Sequence, residues 1–183
     1  MKTNEVTLNN LQSLLDYEAS RFTATEIHLK NVLHDWIKRA EDMKLKSVLE
    51  KYDSMIQEHT QKLEDFFKDE KIMALSLTNR VLNAYIDDIN EKLEMCADPA
   101  LKDACLLAGI QEINHFKLSA YGTAAAFSKT LNMEKYATIF HELEVNEKQI
   151  DDRLSQLAEH EINFRAKAPH LLTKEHANNF NLP

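Results

Sequence analysis

The sequence predicts an all-α chain built as an antiparallel four-helix bundle, with a long crossover that contains a shorter helix. Three observations predict it. Only 2 glycines and 3 prolines occur in 183 residues, too little turn chemistry for strands joined by hairpins. Leu, Glu, Lys, Ala and Gln are abundant instead, and these residues lose least on entering a helix. Finally, apolar residues recur at steps of three, four and seven over four long segments, the period of one helical face.

The first segment carries Leu15, Phe22, Leu29, Leu33, Trp36 and Ala40 on one stripe and predicts a helix over 7–41. A second stripe begins at Leu45 and continues through Leu49, Tyr52, Ile56, Leu63 and Phe66. The break between them is so short that the two helices must run antiparallel. Residues 68–75 read as a loop, and Leu82, Tyr85, Ile86, Ile89 and Leu93 then predict a shorter helix, placed as a crossover outside the bundle. Asp98 followed by Pro99 is a helix start, because Asp satisfies free amides and Pro suits the first helical position. That third long helix extends to about residue 129, with Leu106, Ile110, Ile113, Ala120, Ala124 and Phe127 on its stripe. Asn132 is the expected cap of a fourth helix over 133–164, whose stripe is Tyr136, Phe140, Leu143, Ile150, Leu154 and Leu157. Pro169 ends helical structure, so the chain divides into a bundle domain, 1–167, and a tail, 168–183, that offers Leu171, Leu172, Phe180 and Leu182 for docking.

Composition excludes several functions. The formal net charge is -8, with acids spread along the chain, so nucleic acid is not an expected partner. No run of about twenty apolar residues is available to span a bilayer, and the opening MKTNEVTLNN lacks the apolar block of a secretory signal. A cytoplasmic protein without a membrane partner is expected. Cys96 and Cys105 have no companion His or Cys at zinc-site spacing and read as free thiols. There is no G-x-S-x-G elbow, no glycine-rich phosphate loop and no cysteine paired with a core histidine, which sets aside hydrolases and kinases. A homodimer is compatible with long bundles that keep apolar outer surfaces.

The informative residues are those that interrupt an apolar stripe, because a buried polar group is costly unless satisfied. Glu26 falls between Phe22 and Leu29, His59 between Ile56 and Leu63, and Glu147 between Leu143 and Ile150, while the third long helix places Asn114 and Lys117 on its stripe. Antiparallel helices of similar length align their middles, so these five side chains are expected to converge at one level. Glu18, Tyr52, Tyr121, Glu144 and Asp151 should lie one or two turns away. A single inward Glu or His is commonly a hydrogen-bonded core residue; four helices contributing together describe the polar centre that carries metals in ferritin-like bundles. Glu112 and His115 also form an E-x-x-H pair, but Glu112 lies off the apolar stripe, so the pair should sit at the solvent edge. The remaining histidines, His28, His34, His141, His160, His170 and His176, read as surface residues.

Several motifs resemble the bacterial ferritin-like family of the YciE/YciF type, domain of unknown function 892. They are AYGTA at 120–124, NEKQIDDRLSQLAE at 146–159, ATEIHL at 24–29 and EHTQKLE at 58–64, and the similarity extends over roughly 7–167. The resemblance implies a bundle holding a pair of metal ions, iron in the first instance, through carboxylates and a histidine. Carried over by position, Glu26, His59, Glu147 and Asp151 keep a ligating residue type. Met55, Asn114 and Lys117 stand where the family has Glu. A hard metal pair needs several anionic oxygens to bind and bridge it, and the loss of three acids together with a gained ammonium opposes both. The expectation is therefore a non-enzymatic, stress-associated bundle without a bound cofactor, in which Lys117, paired with Glu26 and Glu147, replaces metal charge. The competing expectation is an iron or manganese protein, with two ions or one, acting as an oxidase or in iron handling.

Overall fold

Most helices begin where a side chain satisfies backbone amides that no helical turn can reach. In the computed structural model, which describes residues 7–72 and 77–167, Asn10 and Ser13 form a reciprocal capping box that starts α1, Leu11–Arg39. Asp42 accepts from the amides of Lys44 and Leu45 and opens α2, Met43–Asp69. Asn79 does the same for α3, Arg80–Met95, and Asp98, followed by Pro99, for α4, Pro99–Thr130. These caps are the devices that make short links between long helices affordable.

The helix starts differ from expectation at two places. The first helix begins at Leu11 rather than at residue 7, because Asn10 caps it. Asn132 caps nothing: it takes a left-handed conformation, φ 60°, which closes α4, and Met133 precedes α5, Glu134–Leu157, without a side-chain cap. Asn is among the few residues that tolerate that backbone region. The expected fourth helix to residue 164 is present but interrupted. A π-helical turn, Ala158–Ile162, intervenes before the short α6, Asn163–Ala166. The expected tail, 168–183, lies outside the described residues.

Pairs of contacting residues fix the helix directions. Lys44 with Glu161 and Lys62 with Glu142 set α2 antiparallel to the strand of helices formed by α5 and its extension. Glu41 with Asp103 and Glu26 with Tyr121 set α1 antiparallel to α4. Helix α3 instead runs parallel to α1, docked by a ladder of polar bonds: Asn79 to Thr25, His28 to Asn83 and Trp36 to Asn90, at 2.7–2.9 Å. His28 is thus half-buried in this seam rather than on the surface as expected, whereas His34, His141 and His160 are exposed. The turn between α1 and α2 is tied to α4 by Asp103, which accepts the Glu41 and Asp42 amides at 2.8 and 2.9 Å. No helix among the described residues is long and apolar enough to cross a membrane.

The core is divided into two apolar regions. One holds Leu29, Leu33, Trp36, Ile56, Ile113 and Ile150, with α3 over it. The other holds Leu15, Phe22, Leu63, Phe66, Phe140 and Leu143. On each of the four bundle helices the boundary between them falls at the interrupted point of the stripe. Ala120 and Phe127, expected on the α4 core stripe, are only half-buried; Tyr121, Ala124 and Ser128 take the inward positions.

Glycine matters where α3 meets α4. A Cβ at residue 109 would lie 2.3 Å from Cγ1 of the fully buried Ile89, so the absence of a side chain permits the close approach. A Gly109→Ala variant gains about 1 kcal/mol of helix propensity but incurs an overpacking cost of about 1–3 kcal/mol. Its melting temperature should fall by a few degrees; an unchanged or higher value would show that the two helices can separate freely.

Candidate functional site

Between the two apolar regions, the four bundle helices deliver a connected set of buried polar side chains. Helix α1 gives Glu26, α2 gives Tyr52 and His59, α4 gives Asn114, Lys117 and Tyr121, and α5 gives Glu147. On α4 the three residues are spaced by three and four, so they share one face. Glu26, His59, Asn114 and Glu147 are 0 % exposed and Lys117 is 2 % exposed.

Lys117 is the hub. Its Nζ lies 2.9 Å from Glu26 Oε2 and 2.5 Å from Glu147 Oε1, and donates to the Tyr52 hydroxyl at 3.1 Å. Nζ also stands 4.8 Å from the Tyr52 ring centroid, within the range of a cation–π contact. Each carboxylate has a phenol on its other oxygen: Tyr52 donates to Glu147 Oε2 at 2.7 Å, and Tyr121 donates to Glu26 Oε1. Asn114 Nδ2 donates both to Glu147 Oε2, at 2.7 Å, and to the Glu147 backbone carbonyl, at 3.0 Å. His59 Nδ1 approaches Glu147 Oε1 at 3.3 Å and Glu26 Oε1 at 3.6 Å, and its other nitrogen lies 3.4 Å from Asn146 Nδ2. The His59 ring packs edge-on against Tyr121 with centroids 5.7 Å apart.

The electrostatics follow from this geometry. Burial opposes ionisation of Glu26, but the Lys117 charge, the nearby His59 and the Tyr121 hydrogen bond outweigh it and lower its pKa from 4.5 to about 2. Burial likewise opposes charging His59, yet the nearby Glu147 and Glu26 carboxylates prevail and raise its pKa above 6.5. Lys117 is desolvated too, and the two carboxylates hold its pKa well above 10.5. Burial and then the neighbouring carboxylates drive both phenols well above 10.0. With His59 protonated, two negative and two positive charges balance within this buried layer.

Not every sequence-predicted residue reaches this layer. Asp151 is placed at the edge of the bundle, accepting from His115 at 2.9 Å and Gln111 at 3.2 Å, and is not brought to Glu26, His59 and Glu147. Glu112 and His115 are exposed, as their position off the stripe implied. Met55 is buried, 8 % exposed, in the apolar region beneath the site and one helical turn from His59. Glu18 pairs with Arg21, and Glu144 with His141, near the surface. Tyr52 and Tyr121, expected a turn or two away, are members of the network itself. Their spacing signals it: Tyr52 is seven residues before His59 and Tyr121 four after Lys117. Asn146 was not anticipated, being adjacent to Glu147 and off the apolar stripe.

The two shifted groups define a pH window. His59 stabilises the fold fully below pH 6.5, and that contribution is lost as pH rises through its higher folded value; Glu26 stabilises it above pH 4.5, and that contribution is lost as pH falls towards about 2. Stability should therefore be greatest between these limits. The urea midpoint should decline from pH 6 to pH 8, and His59→Gln should flatten the decline. An equally steep decline in the variant would assign it to other groups.

Similarity to known proteins is consistent with this architecture. E. coli (strain K12) protein YciF is 30% identical over 86 residues, 47% of this chain; the matched chain spans about half, 52%, of that protein. The solved structure of the E. coli stress protein YciF superposes with a TM-score of 0.80 at 19% identity, covering 85% of this chain and 99% of that one. YcfI from Rhodopseudomonas palustris gives 0.79, also at 19% identity, covering 85% and 98%. The sequence pattern of the domain of unknown function DUF892 matches residues 10–167, and so, in fold and in sequence, the chain belongs to the DUF892 family, of the YciE/YciF type.

Proposed function

We propose that the protein is a non-enzymatic, cytoplasmic, ferritin-like bundle with a structural, stress-associated role, in which the Lys117 ammonium takes the place of metal charge. The observation that carries the reading is Lys117 Nζ within 2.9 Å of one buried carboxylate and 2.5 Å of another. A cation is already held between the acids that a metal would bridge. Among relatives, YciF is described as a stress protein and YcfI as a suggested structural protein, which supports the role without specifying it. The net charge of -8 favours protein partners over nucleic acid.

The metal pair implied for ferritin-like relatives does not fit the residues present. Two carboxylates and one imidazole are too few donors to hold and bridge two hard ions, and Lys117 adds a positive charge between them. A single divalent ion is the competing reading. It draws on Glu26, His59 and Glu147, whose ligand atoms all lie within 4.8 Å of one another, and it requires Lys117 to withdraw from both acids.

Elemental analysis of protein purified without chelator separates these readings. The proposal expects well under one iron, manganese or zinc per chain, with no change in melting temperature on adding any of the three. A Met55→Glu, Asn114→Glu, Lys117→Glu variant should acquire iron. A full equivalent of metal in the native protein, or a metal-dependent rise in melting temperature through linkage, would favour the single-ion site; two equivalents would overturn the proposal outright.

A further inference from the structure

The chain has two cysteines, Cys96 and Cys105, and the fold brings both to the junction of α3 and α4. Cys96 is the C-cap of α3, its amide donating to the Lys92 carbonyl at 3.2 Å. Asp98 and Pro99 then start α4 at once, which leaves a short, stiff link between the helices. Cys105 lies two turns into α4. Helical side chains lean back towards the N-terminus, so that of Cys105 covers the turn around Leu101. Cys96 Sγ lies 4.0 Å from the Leu101 carbonyl oxygen, which brings the two thiols to the same turn of α4. Both thiols are free and half-buried, neither sealed in the core nor wholly open.

Metal binding is the weaker use of such a pair. Among the described residues, Glu26, His59 and Glu147 are the group of three potential ligands within coordinating reach of one another, so no third ligand joins the two sulfurs. Two adjacent thiols with nothing further to coordinate have one characteristic chemistry, oxidation to a disulfide.

We propose that Cys96 and Cys105 are a redox pair that closes to an intramolecular disulfide on meeting a hydroperoxide, clamping the end of α3 to α4. The Cys96 thiolate attacks one peroxide oxygen: an S–O bond forms, the O–O bond breaks, and the departing oxygen takes a proton to leave as water or an alcohol. Cys105 then gives up its proton and attacks the Cys96 sulfenic sulfur. The S–S bond forms, the S–O bond breaks, and a water molecule leaves. Two thiols are oxidised and one peroxide is reduced. The order follows from the surroundings. Cys105 packs against the apolar core and burial raises its thiol pKa, whereas Cys96 ends α3, so Cys96 meets the peroxide first and Cys105 serves as the resolving thiol. The charged centre between the two core regions takes no part.

The test uses the full chain, reduced, desalted and exposed to a few equivalents of hydrogen peroxide. The expected product has lost two hydrogens in intact mass and no longer reacts with iodoacetamide. Its tryptic peptides 93–102 and 103–117 remain joined until dithiothreitol is added. Because the bond removes freedom from the unfolded chain, melting should rise by several degrees and return on reduction. Disulfide-linked dimers, separate sulfinic acids or thiols left free would overturn the proposal. In Cys105→Ser, Cys96 should accumulate as a sulfenic acid that dimedone traps, and in Cys96→Ser, Cys105 should stay reduced; the reverse pattern would overturn the order of attack.

Discussion

The ammonium of Lys117, held between the carboxylates of Glu26 and Glu147, is the interaction on which the middle of this bundle depends. Removing one such charge from water costs several kcal/mol even after relaxation, and the centre removes four when His59 is protonated. Only their near-perfect mutual neutralisation, with phenol and amide donors on the remaining oxygens, makes the arrangement tolerable. Because the charges come from α1, α2, α4 and α5, a shift of any one helix along its axis would leave an ion stranded. The polar layer therefore fixes the helical register in a way that the two apolar regions on either side, built of interchangeable Leu, Ile and Phe, do not.

The same layer is the basis of the proposed non-enzymatic reading. Glu26 is held ionised, Lys117 protonated and both phenols neutral, which leaves His59 as the group of this layer that titrates near neutrality. Lys117 also reaches both acids at once, which leaves the cluster with the geometry of a ligand set and the charge of a completed one. A bundle of this kind can serve as a rigid body whose activity lies on its surfaces.

Much of this was legible in the sequence for a simple reason. Burial of a polar residue on a helix shows as an interruption of the apolar stripe, and Glu26, His59, Lys117, Asn114 and Glu147 all interrupt theirs. Their convergence followed from the similar lengths of antiparallel helices, which align their middles. Other features do not leave that trace. Asp151 keeps a ligating residue type and the right neighbourhood, but its angular position on α5 turns it towards Gln111 and His115. The π-helical turn at Ala158–Ile162 is a local change of hydrogen-bond spacing with no distinct composition. The seam of Asn79, the α3 cap, with Asn83 and Asn90 on α3 is likewise hidden, since a buried asparagine and an exposed one look alike until the partner helix is in place.

A double-mutant cycle tests the central claim most directly: urea unfolding of the native protein, Lys117→Met, Glu26→Gln/Glu147→Gln, and the combined variant. Lys117→Met alone should cost about 3–5 kcal/mol, the usual loss when a buried charge is stranded. Adding the two glutamines should recover a large part of that loss, because the charges left unpaired are gone. Losses that simply add, or a Lys117→Met protein as stable as the native one, would contradict the account and place the origin of the bundle's register elsewhere.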